Sequence, residues 1–210
     1  MSKRLITDDA GVTRCYWCMS DPIYREYHDR EWGFPVTNDR RLFEKICLEG
    51  FQSGLSWLTI LKKRENFREA FHAFDIERVA RMTGRDVQKL LRNAGIVRHR
   101  GKIESTINNA RRAIELIEAE GSLAAFIWRL APSLPRTAAD RRTTWATLSQ
   151  PTSPQSVALS KDLRKRGWTF VGPTTMHAFM QAMGLFNHHL SGCHARDGAD
   201  AARRCLRLPV

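Results

Sequence analysis

Residues 90–102 read LLRNAGIVRHRGK, and this stretch predicts two helices joined by a tight turn. The first helix is expected to end near Asn93, the turn to occupy residues 94–96, and a basic helix to start at about Arg100. Such a hairpin leaves backbone N–H groups free at the start of the second helix, where they bind a phosphate oxygen without reading base sequence. Because glycine at a helix end is first of all a C-cap, the stretch is also compatible with no ligand.

Basic residues are concentrated in this middle part of the chain. Lys and Arg number 34 and Asp and Glu 22, a net charge of +12 over 210 residues. Residues 1–60 contribute −1, residues 61–112 contribute +8 and residues 113–210 contribute +5. A basic middle beside a neutral first segment favours a polyanionic partner, nucleic acid above all, although a solvated basic face without a ligand has the same composition.

The composition argues against membrane proteins and disulfide-rich scaffolds. Hydrophobic residues make up 42% of the chain, enough for one compact domain with a real core. No stretch approaches the roughly 20 consecutive apolar residues of a membrane span, and the first residues lack the apolar segment of a secretory signal. We therefore expect no membrane partner, a cytoplasmic location and reduced cysteines.

Apolar periodicity predicts an all-α protein with at most a minor β element. The predicted helix caps are Asn38, Asp75, Ser122 and a capping box formed by Thr83 and Asp86. The longest helix is expected over residues 101–120. Residues 168–171 are either a short strand or a buried turn, and residues 131–154 are predicted to be a connection broken by prolines. The basic tail after Cys193 has little pattern and is expected to be frayed in part.

Aromatic residues cluster near the start of the chain. All three tyrosines, Tyr16, Tyr24 and Tyr27, fall within twelve residues, and Trp17 and Trp32 flank them. Tyr24 and Tyr27 are three residues apart and therefore share a face of any helix that contains them. The cluster is either ordinary core packing or a stacking wall for a planar or cationic ligand.

Residues able to bind a metal lie at both ends of the chain. Cys2His2 is a preferred zinc set, and one such set consists of Cys15, His28, His189 and Cys193. The spacings do not match a zinc finger, and the neighbouring Cys18, His188 and His194 are competing ligands. A site with four protein ligands has no open position for water, so it would be structural and join the two ends of the chain.

Glu49 is an unusual residue for its position, between Leu48 and Gly50 at the end of an apolar helix face. A helix C-terminus disfavours a carboxylate electrostatically. Glu49 is therefore either exposed or buried for a functional purpose, and Trp57, eight residues later, is close enough in sequence to lie beside it.

Seven segments of the chain resemble the family of DNA-3-methyladenine glycosylase I, over roughly residues 14–193. They are RCYW (14–17), DPIYREYHDREWG (21–33), LFEKICLEGFQSGLSW (42–57), LKKREN (61–66), AGIVRHRGKI (94–103), LSKDLRKRGWTFVG (159–172) and FMQAMGLFNHHLSGC (179–193).

The resemblance implies a helix–hairpin–helix fold, and a glycosylase that flips N3-methyladenine out of duplex DNA and hydrolyses its N-glycosidic bond. It also implies a structural zinc on Cys15, His28, His189 and Cys193, with no cofactor in the chemistry. By the same resemblance, Glu49 is the catalytic residue. Trp57, Tyr24, Tyr27 and Trp17 are then expected to bind the base.

The hairpin of this family maps onto residues 94–96, so the expected DNA contacts are Gly95 and the basic residues after it, Arg98, Arg100 and Lys102. Gly54 and Leu55, in the turn before Trp57, are expected to fill the gap left by the extruded base.

We expect three parts in the chain: a flexible extension at residues 1–13, one glycosylase domain at residues 14–193, and a basic tail at residues 194–210. The glycosylase domain is compatible with either one or two lobes. We expect a monomer. No acidic residue lies between Asp86 and Glu104 to activate water, and no lysine is placed for a Schiff base, which predicts a monofunctional enzyme. A non-enzymatic DNA-binding module and a zinc hydrolase are the competing hypotheses.

Overall fold

Helices form most of the protein in the computed structural model, which describes residues 4–133, 137 and 142–207. The first six helices are α1 (Pro22–Arg30), α2 (Asp39–Gln52), α3 (Trp57–Lys62), α4 (Arg64–Ala70), α5 (Ile76–Ala80) and α6 (Gly84–Leu90). The remainder are α7 (Arg100–Glu120), α8 (Leu123–Trp128), α9 (Trp145–Leu148), α10 (Pro154–Lys165), α11 (Pro173–Ala182) and α12 (Ala195–Arg204). The prediction of a mainly helical protein is confirmed. No described helix is both long and apolar enough to cross a membrane.

The beginning of the chain is a β-hairpin rather than the flexible extension expected from the sequence. Strand β1 (Leu5–Thr7) pairs antiparallel with β2 (Thr13–Cys15), and Leu5 lies opposite Cys15. The Asp8 carboxylate accepts hydrogen bonds from the backbone N–H groups of Ala10 and Val12 in the turn. Strands of three residues are too short to produce a readable alternation, so the sequence did not reveal them. Residues 1–3 lie outside the described part of the chain.

Helix α2 forms the centre of the fold. Every residue from Leu42 to Phe51 is buried, including charged ones, as expected for a helix surrounded by other elements. It packs against α3, α7, α8 and α11. The Asp39 carboxylate, in its first turn, accepts hydrogen bonds from the backbone N–H groups of Leu123 and Ala124 at the start of α8. A helix with this many neighbours holds its side chains in fixed positions.

The predicted helix caps are confirmed. The side chains of Asn38, Asp75 and Ser122 each accept a hydrogen bond from the backbone N–H three residues later. The Asp86 carboxylate accepts from the N–H of Thr83 in the predicted capping box. Caps depend only on residues within one turn, which is why the sequence alone locates them.

The hairpin between α6 and α7 differs from its prediction in one respect. Helix α7 begins at Arg100, as expected, but α6 ends at Leu90, three residues before Asn93. The Lys63 ammonium donates to the backbone oxygens of Ala94 and Gly95 at 3.1 and 3.3 Å. A Cβ at Gly95 would lie 3.0 Å from Asn93 Oδ1, so the close approach of neighbouring side chains favours glycine there.

Residues 168–171 are irregular and form neither the strand nor the fully buried turn considered from the sequence, because Thr169 and Phe170 are exposed. The backbone N–H of Thr169 donates to Asn109 Oδ1, and its carbonyl accepts from Asn109 Nδ2, so an amide on α7 replaces a partner strand. Trp168 and Val171 are buried beside it.

Two segments are more ordered than the sequence indicates. The connection at residues 131–154 contains the short helix α9. Residues 134–136 and 138–141 of this connection lie outside the described part of the chain. The tail after Cys193 contains α12, in which Ala195, Arg196 and Ala199 are buried. Alanine is only weakly hydrophobic, so a helix that packs through alanines has little apolar pattern. Residues 208–210 are not among those described.

Candidate active site

The predicted base-binding residues surround one cavity. Trp17, Tyr24, Tyr27, Glu49 and Trp57 all line a cavity of about 260 Å³. This volume is below the roughly 300–1,000 Å³ of sites for drug-sized ligands and suits a small planar molecule. A larger cavity of about 450 Å³ lies beside α6, where its lining is mainly polar and charged and lacks a wall of Trp and Tyr.

The aromatic wall is a set of mutually packed rings. Trp17 contacts Tyr24 and Trp32 edge to face, with ring centroids 4.8 and 5.1 Å apart. The rings of Tyr27 and Trp57 are 5.4 Å apart. Rings packed in this way are held in place before a ligand arrives. Among the described residues, Trp57 Nε1 is a buried donor without a hydrogen-bond partner.

Glu49 is buried and ion-paired. Its side chain is in the last turn of α2, and Oε1 is 2.8 Å from Nζ of Lys45, one helical turn earlier. The same ammonium donates to the hydroxyl of Tyr27 at 2.8 Å and lies 3.2 Å from the ring centroid of Trp57. Of the two alternatives for Glu49, burial is therefore the correct one.

Lys45 is the main site residue that the sequence analysis missed. Its spacing of four residues from Glu49 was a readable signal, since Lys and Glu four apart pair on a helix. Burial lowers the pKa of Lys45 to about 8, even though the Glu49 carboxylate acts in the opposite direction. Burial, reinforced by the charge of Glu49, raises the pKa of Tyr24 to about 12 and that of Tyr27 well above its usual value. Both phenols therefore keep their protons at neutral pH.

Trp145 is a second missed residue, and no signal in the sequence indicated it. It lines the cavity from α9, far from the other aromatic residues in sequence. Its ring packs against Tyr16, with centroids 5.4 Å apart, and the guanidinium of Arg4 lies 4.0 Å above it. The N-terminal hairpin thus supports one side of the cavity.

The turn between α2 and α3 lies at the edge of the cavity. Gly54 has φ of +82°, and Leu55 is 43% exposed, an unusual position for a large apolar side chain. Gln52 and Trp57, on either side of the turn, line the cavity.

The structure corrects the expectation that Lys102 faces DNA. Lys102 is 7% exposed, and its Nζ donates to the backbone oxygens of Phe51 and Ser53 at 2.9 and 2.5 Å. Its side chain points from α7 to the unpaired carbonyls at the end of α2, as lysines commonly do at helix C-termini. Its backbone N–H, predicted to be free, donates to His99 Nδ1. Arg98 and Arg100 are exposed as expected, and Arg100 contacts Glu104 at 3.2 Å.

The four predicted metal ligands meet in one buried cluster. Ligand atoms of Cys15, His28, His189 and Cys193 all lie within 4.8 Å of one another. His28 Nε2 and His189 Nδ1 are 3.1 Å apart, and Cys193 Sγ is 3.4 and 3.6 Å from them. Tetrahedral zinc with bonds of about 2.0–2.3 Å places its ligand atoms roughly 3.3–3.8 Å apart. The cluster therefore has the dimensions of a metal site.

The hydrogen bonds around the cluster orient both imidazoles inward. His28 Nδ1 donates to the Asp29 carboxylate at 2.7 Å, and His189 Nε2 donates to the backbone oxygen of Trp32 at 2.8 Å. When both imidazoles are neutral, the two inner nitrogens present lone pairs to each other, an arrangement that a bound cation stabilises. Hydrogen bonding to Cys15, and then the two imidazoles, lower the pKa of Cys193 well below that of an ordinary thiol, which favours the thiolate that binds metals.

The competing ligands lie outside the four-residue cluster, although Cys18 also contacts His28. Cys18 Sγ donates to the backbone oxygen of Cys15 at 3.1 Å, and His188 Nδ1 is 2.8 Å from Gln181 Nε2. His194 Nε2 is 2.8 Å from Asp29, so it contacts the outside of the cluster.

Comparison with known proteins identifies the family. The family model for methyladenine glycosylase matches residues 17–196. The chain is 50% identical to DNA-3-methyladenine glycosylase 1 of Escherichia coli (strain K12) over 184 residues, which are 87% of this chain and 96% of that protein. This chain belongs to the methyladenine glycosylase family. The resemblance found in the sequence is confirmed, and the protein is an enzyme, a glycosylase.

Solved structures of this glycosylase family have the same fold. A crystal structure of 3-methyladenine DNA glycosylase I (TAG) matches with a TM-score of 0.79 and 49% identity, covering 86% of this chain and 98% of that one. A structure described as the basis of 3-methyladenine recognition by the Staphylococcus aureus enzyme matches with a TM-score of 0.81 and 37% identity. The match covers 87% of this chain and 96% of that one.

Proposed function

We propose that this glycosylase flips N3-methyladenine out of alkylated duplex DNA and hydrolyses its N-glycosidic bond without cleaving the strand. The observation that carries the proposal is the buried Glu49 carboxylate at the wall of an aromatic cavity of about 260 Å³. The names of the related enzymes support 3-methyladenine as the base.

The chemistry of the substrate explains why such a cavity suffices. Methylation at N3 gives adenine a positive charge, and this weakens the glycosidic bond because the departing base becomes neutral when it takes the bonding electrons. A damaged base also costs less to unpair and flip. The enzyme therefore has to bind the cationic base in preference to ordinary adenine, and needs little acid catalysis.

Glu49 and the aromatic wall supply that preference. The carboxylate accepts hydrogen bonds from the exocyclic amino group, and its attraction to a cation is several times stronger in a dry cavity than in water. The faces of Trp57, Tyr24, Tyr27 and Trp17 stack on the base and attract its charge.

The surface around the cavity suits a duplex. In this proposal the segment from α6 to α7 is the helix–hairpin–helix element, with Gly95, Arg98 and Arg100 against the phosphates. Leu55, exposed on the turn at Gly54 beside the cavity, fills the gap left by the flipped base. Lys102 instead holds α7 against the end of α2.

The metal cluster is proposed to bind one structural zinc ion. The Cys2His2 donor set, the distances between its atoms and the inward lone pairs of both imidazoles support zinc. Four protein ligands leave no position for water, so the ion joins the β2 and α1 region to residues 189–193 and takes no part in catalysis. We propose a monomer, since every proposed function is carried by one chain.

Lys45 does not alter the proposal of a monofunctional enzyme. A Schiff base requires an amine that reaches the sugar, whereas Lys45 is paired with Glu49 and Tyr27 and does not line the base cavity. Borohydride trapping of the enzyme on alkylated DNA is expected to give no covalent product, and a trapped complex would contradict this part of the proposal.

Chromatography of the bases freed from methylated duplex DNA tests the proposed function directly. Free 3-methyladenine is the expected product, released by the wild-type enzyme and hardly at all by Glu49→Gln. If DNA is bound but no base is released, the protein is a DNA-binding module. Activity that requires a zinc ion with an open coordination position would instead favour a zinc hydrolase, in which the metal takes part in the chemistry.

A further inference from the structure

Lys45 is a buried cation directly beside the proposed base site. The residue is 5% exposed, and its ammonium has three partners: Glu49 Oε1 at 2.8 Å, the Tyr27 hydroxyl at 2.8 Å and the ring of Trp57, whose centroid is 3.2 Å away. Each of these three residues lines the base cavity. The ammonium thus contacts, from the side away from the base cavity, the same carboxylate and aromatic rings that a cationic base would contact.

The ammonium is separated from the base cavity by Tyr27 and Trp57. Both rings line the base cavity and also a second, small cavity of about 20 Å³, and Lys45 lines only the second. A base in the first cavity therefore does not displace Lys45. Both cations would be present together, close to a single carboxylate.

The charges around Lys45 leave its pairing with Glu49 undisturbed. The other ionisable groups that line the small cavity are Glu31, Arg41, Glu44, Arg64 and Arg68. Glu31 pairs with Arg64 and Glu44 with Arg68, each at 2.8 Å, and Arg41 is exposed. Lys45 is consequently the counter-ion of Glu49.

We propose that Lys45 is a resident counter-ion that makes the empty base pocket electrically neutral and thereby limits its preference for cationic over neutral bases. The inference rests on the proposed function, since it assumes that the base binds beside Glu49. Lys45 acts through Glu49 and is a positioning residue. Breaking the glycosidic bond converts the cationic base into a neutral one. A pocket without net charge does not hold the cation more strongly than this neutral product, so it adds no electrostatic cost to bond cleavage.

The charge state of Lys45 makes base selection depend on pH. Burial lowers the pKa of Lys45 to about 8, so the lysine is charged below this pH and neutral above it. The preference for a cation should therefore rise between pH 7 and pH 9. The nearby arginines keep their charge in this range, and the raised pKa values of Tyr24 and Tyr27 keep both phenols neutral.

Calorimetric titration with two defined bases tests the proposal. The probes are the 3,9-dimethyladeninium cation, whose charge is fixed by alkylation over the range from pH 7 to pH 9, and neutral 9-methyladenine. In Lys45→Met the ratio of their affinities at pH 7 is expected to favour the cation at least tenfold more than in wild type, because a positive charge a few ångströms away has been removed. Lys45→Arg, which keeps the charge, should remain within about twofold of wild type.

Controls separate this proposal from a general effect on folding. Lys161→Met, the same substitution at an exposed position of α10, is expected to leave the ratio unchanged. Between pH 7 and pH 9 the wild-type ratio should rise towards that of Lys45→Met, whose own ratio stays flat. The wild-type pH series and Lys45→Arg remain informative even if Lys45→Met does not fold.

An unchanged ratio in a folded Lys45→Met, or a flat wild-type ratio from pH 7 to pH 9, would overturn the role of Lys45. The proposed function has a different failure: no wild-type binding of the cation and no release of methyladenine from DNA.

Discussion

The ammonium of Lys102, in the first turn of α7, donates to the backbone oxygen of Phe51 at 2.9 Å, at the end of the helix that carries Glu49. A second bond from the same ammonium reaches the oxygen of Ser53, at the start of the turn that presents Leu55. The helix after the hairpin is thus connected directly to both α2 and the turn proposed to enter the DNA. These bonds make a buried lysine part of the framework of the site.

Lys102→Met is expected to change stability alone, and Arg98→Ala to change the salt dependence of DNA binding alone. Lys102→Met leaves two helix-end carbonyls without a donor and should lower stability by about 1–3 kcal/mol, measured by chemical unfolding, without changing the salt dependence of DNA binding. Arg98→Ala should leave stability unchanged and reduce the slope of log K against log salt by about 1. A reduced salt slope in folded Lys102→Met would restore Lys102 as a phosphate contact.

Glu49→Gln is expected to lose most base excision while remaining folded. The substitution keeps the shape of the side chain and removes the charge that attracts the cationic base, so single-turnover excision of 3-methyladenine should fall by roughly 100-fold or more. Circular dichroism and zinc content are the controls, and both should match wild type. Near wild-type turnover would remove Glu49 from the mechanism.

Cys193→Ser is expected to lower zinc content and thermal stability together. Loss of a structural zinc that joins two distant parts of the chain should lower Tm by roughly 10 °C. Cys205→Ser, at an exposed cysteine outside the cluster, is the matched control and should change neither quantity. If Cys193→Ser retains a full equivalent of zinc and an unchanged Tm, the proposed metal site is wrong.

Leu55→Ala is expected to slow excision from a fully paired duplex by about tenfold, since the apolar side chain no longer occupies the space of the flipped nucleotide. Excision of 3-methyladenine opposite an abasic site, where there is less stacking and pairing to replace, should be affected much less. Val157→Ala removes another exposed apolar side chain, on α10, and should leave both rates unchanged. Equal losses on the two substrates would argue against gap filling.

Local features of the fold could be predicted from the sequence. Asn38, Asp75 and Ser122 cap their helices through bonds to residues three positions away, so a short window of sequence contains all the information required. The aromatic cluster and the resemblance to the methyladenine glycosylases were also readable, because long ordered segments carry them. The tail helix α12 was not, since its packing face consists largely of alanine.

Tertiary packing decided which charged side chains serve which purpose. Lys102 and Arg100 look alike in the sequence, yet one is buried against the end of α2 and the other is exposed. Cys15 was predicted as a metal ligand with Cys18 as a competitor, and the structure brings Cys15 together with His28, His189 and Cys193 where the two ends of the chain meet. The pairing of Lys45 with Glu49 is local, but its burial against Trp57 follows from the packing of α3 on α2. Burial depends on contacts between residues far apart in sequence, and for a charged side chain it determines whether the charge is solvated or paired.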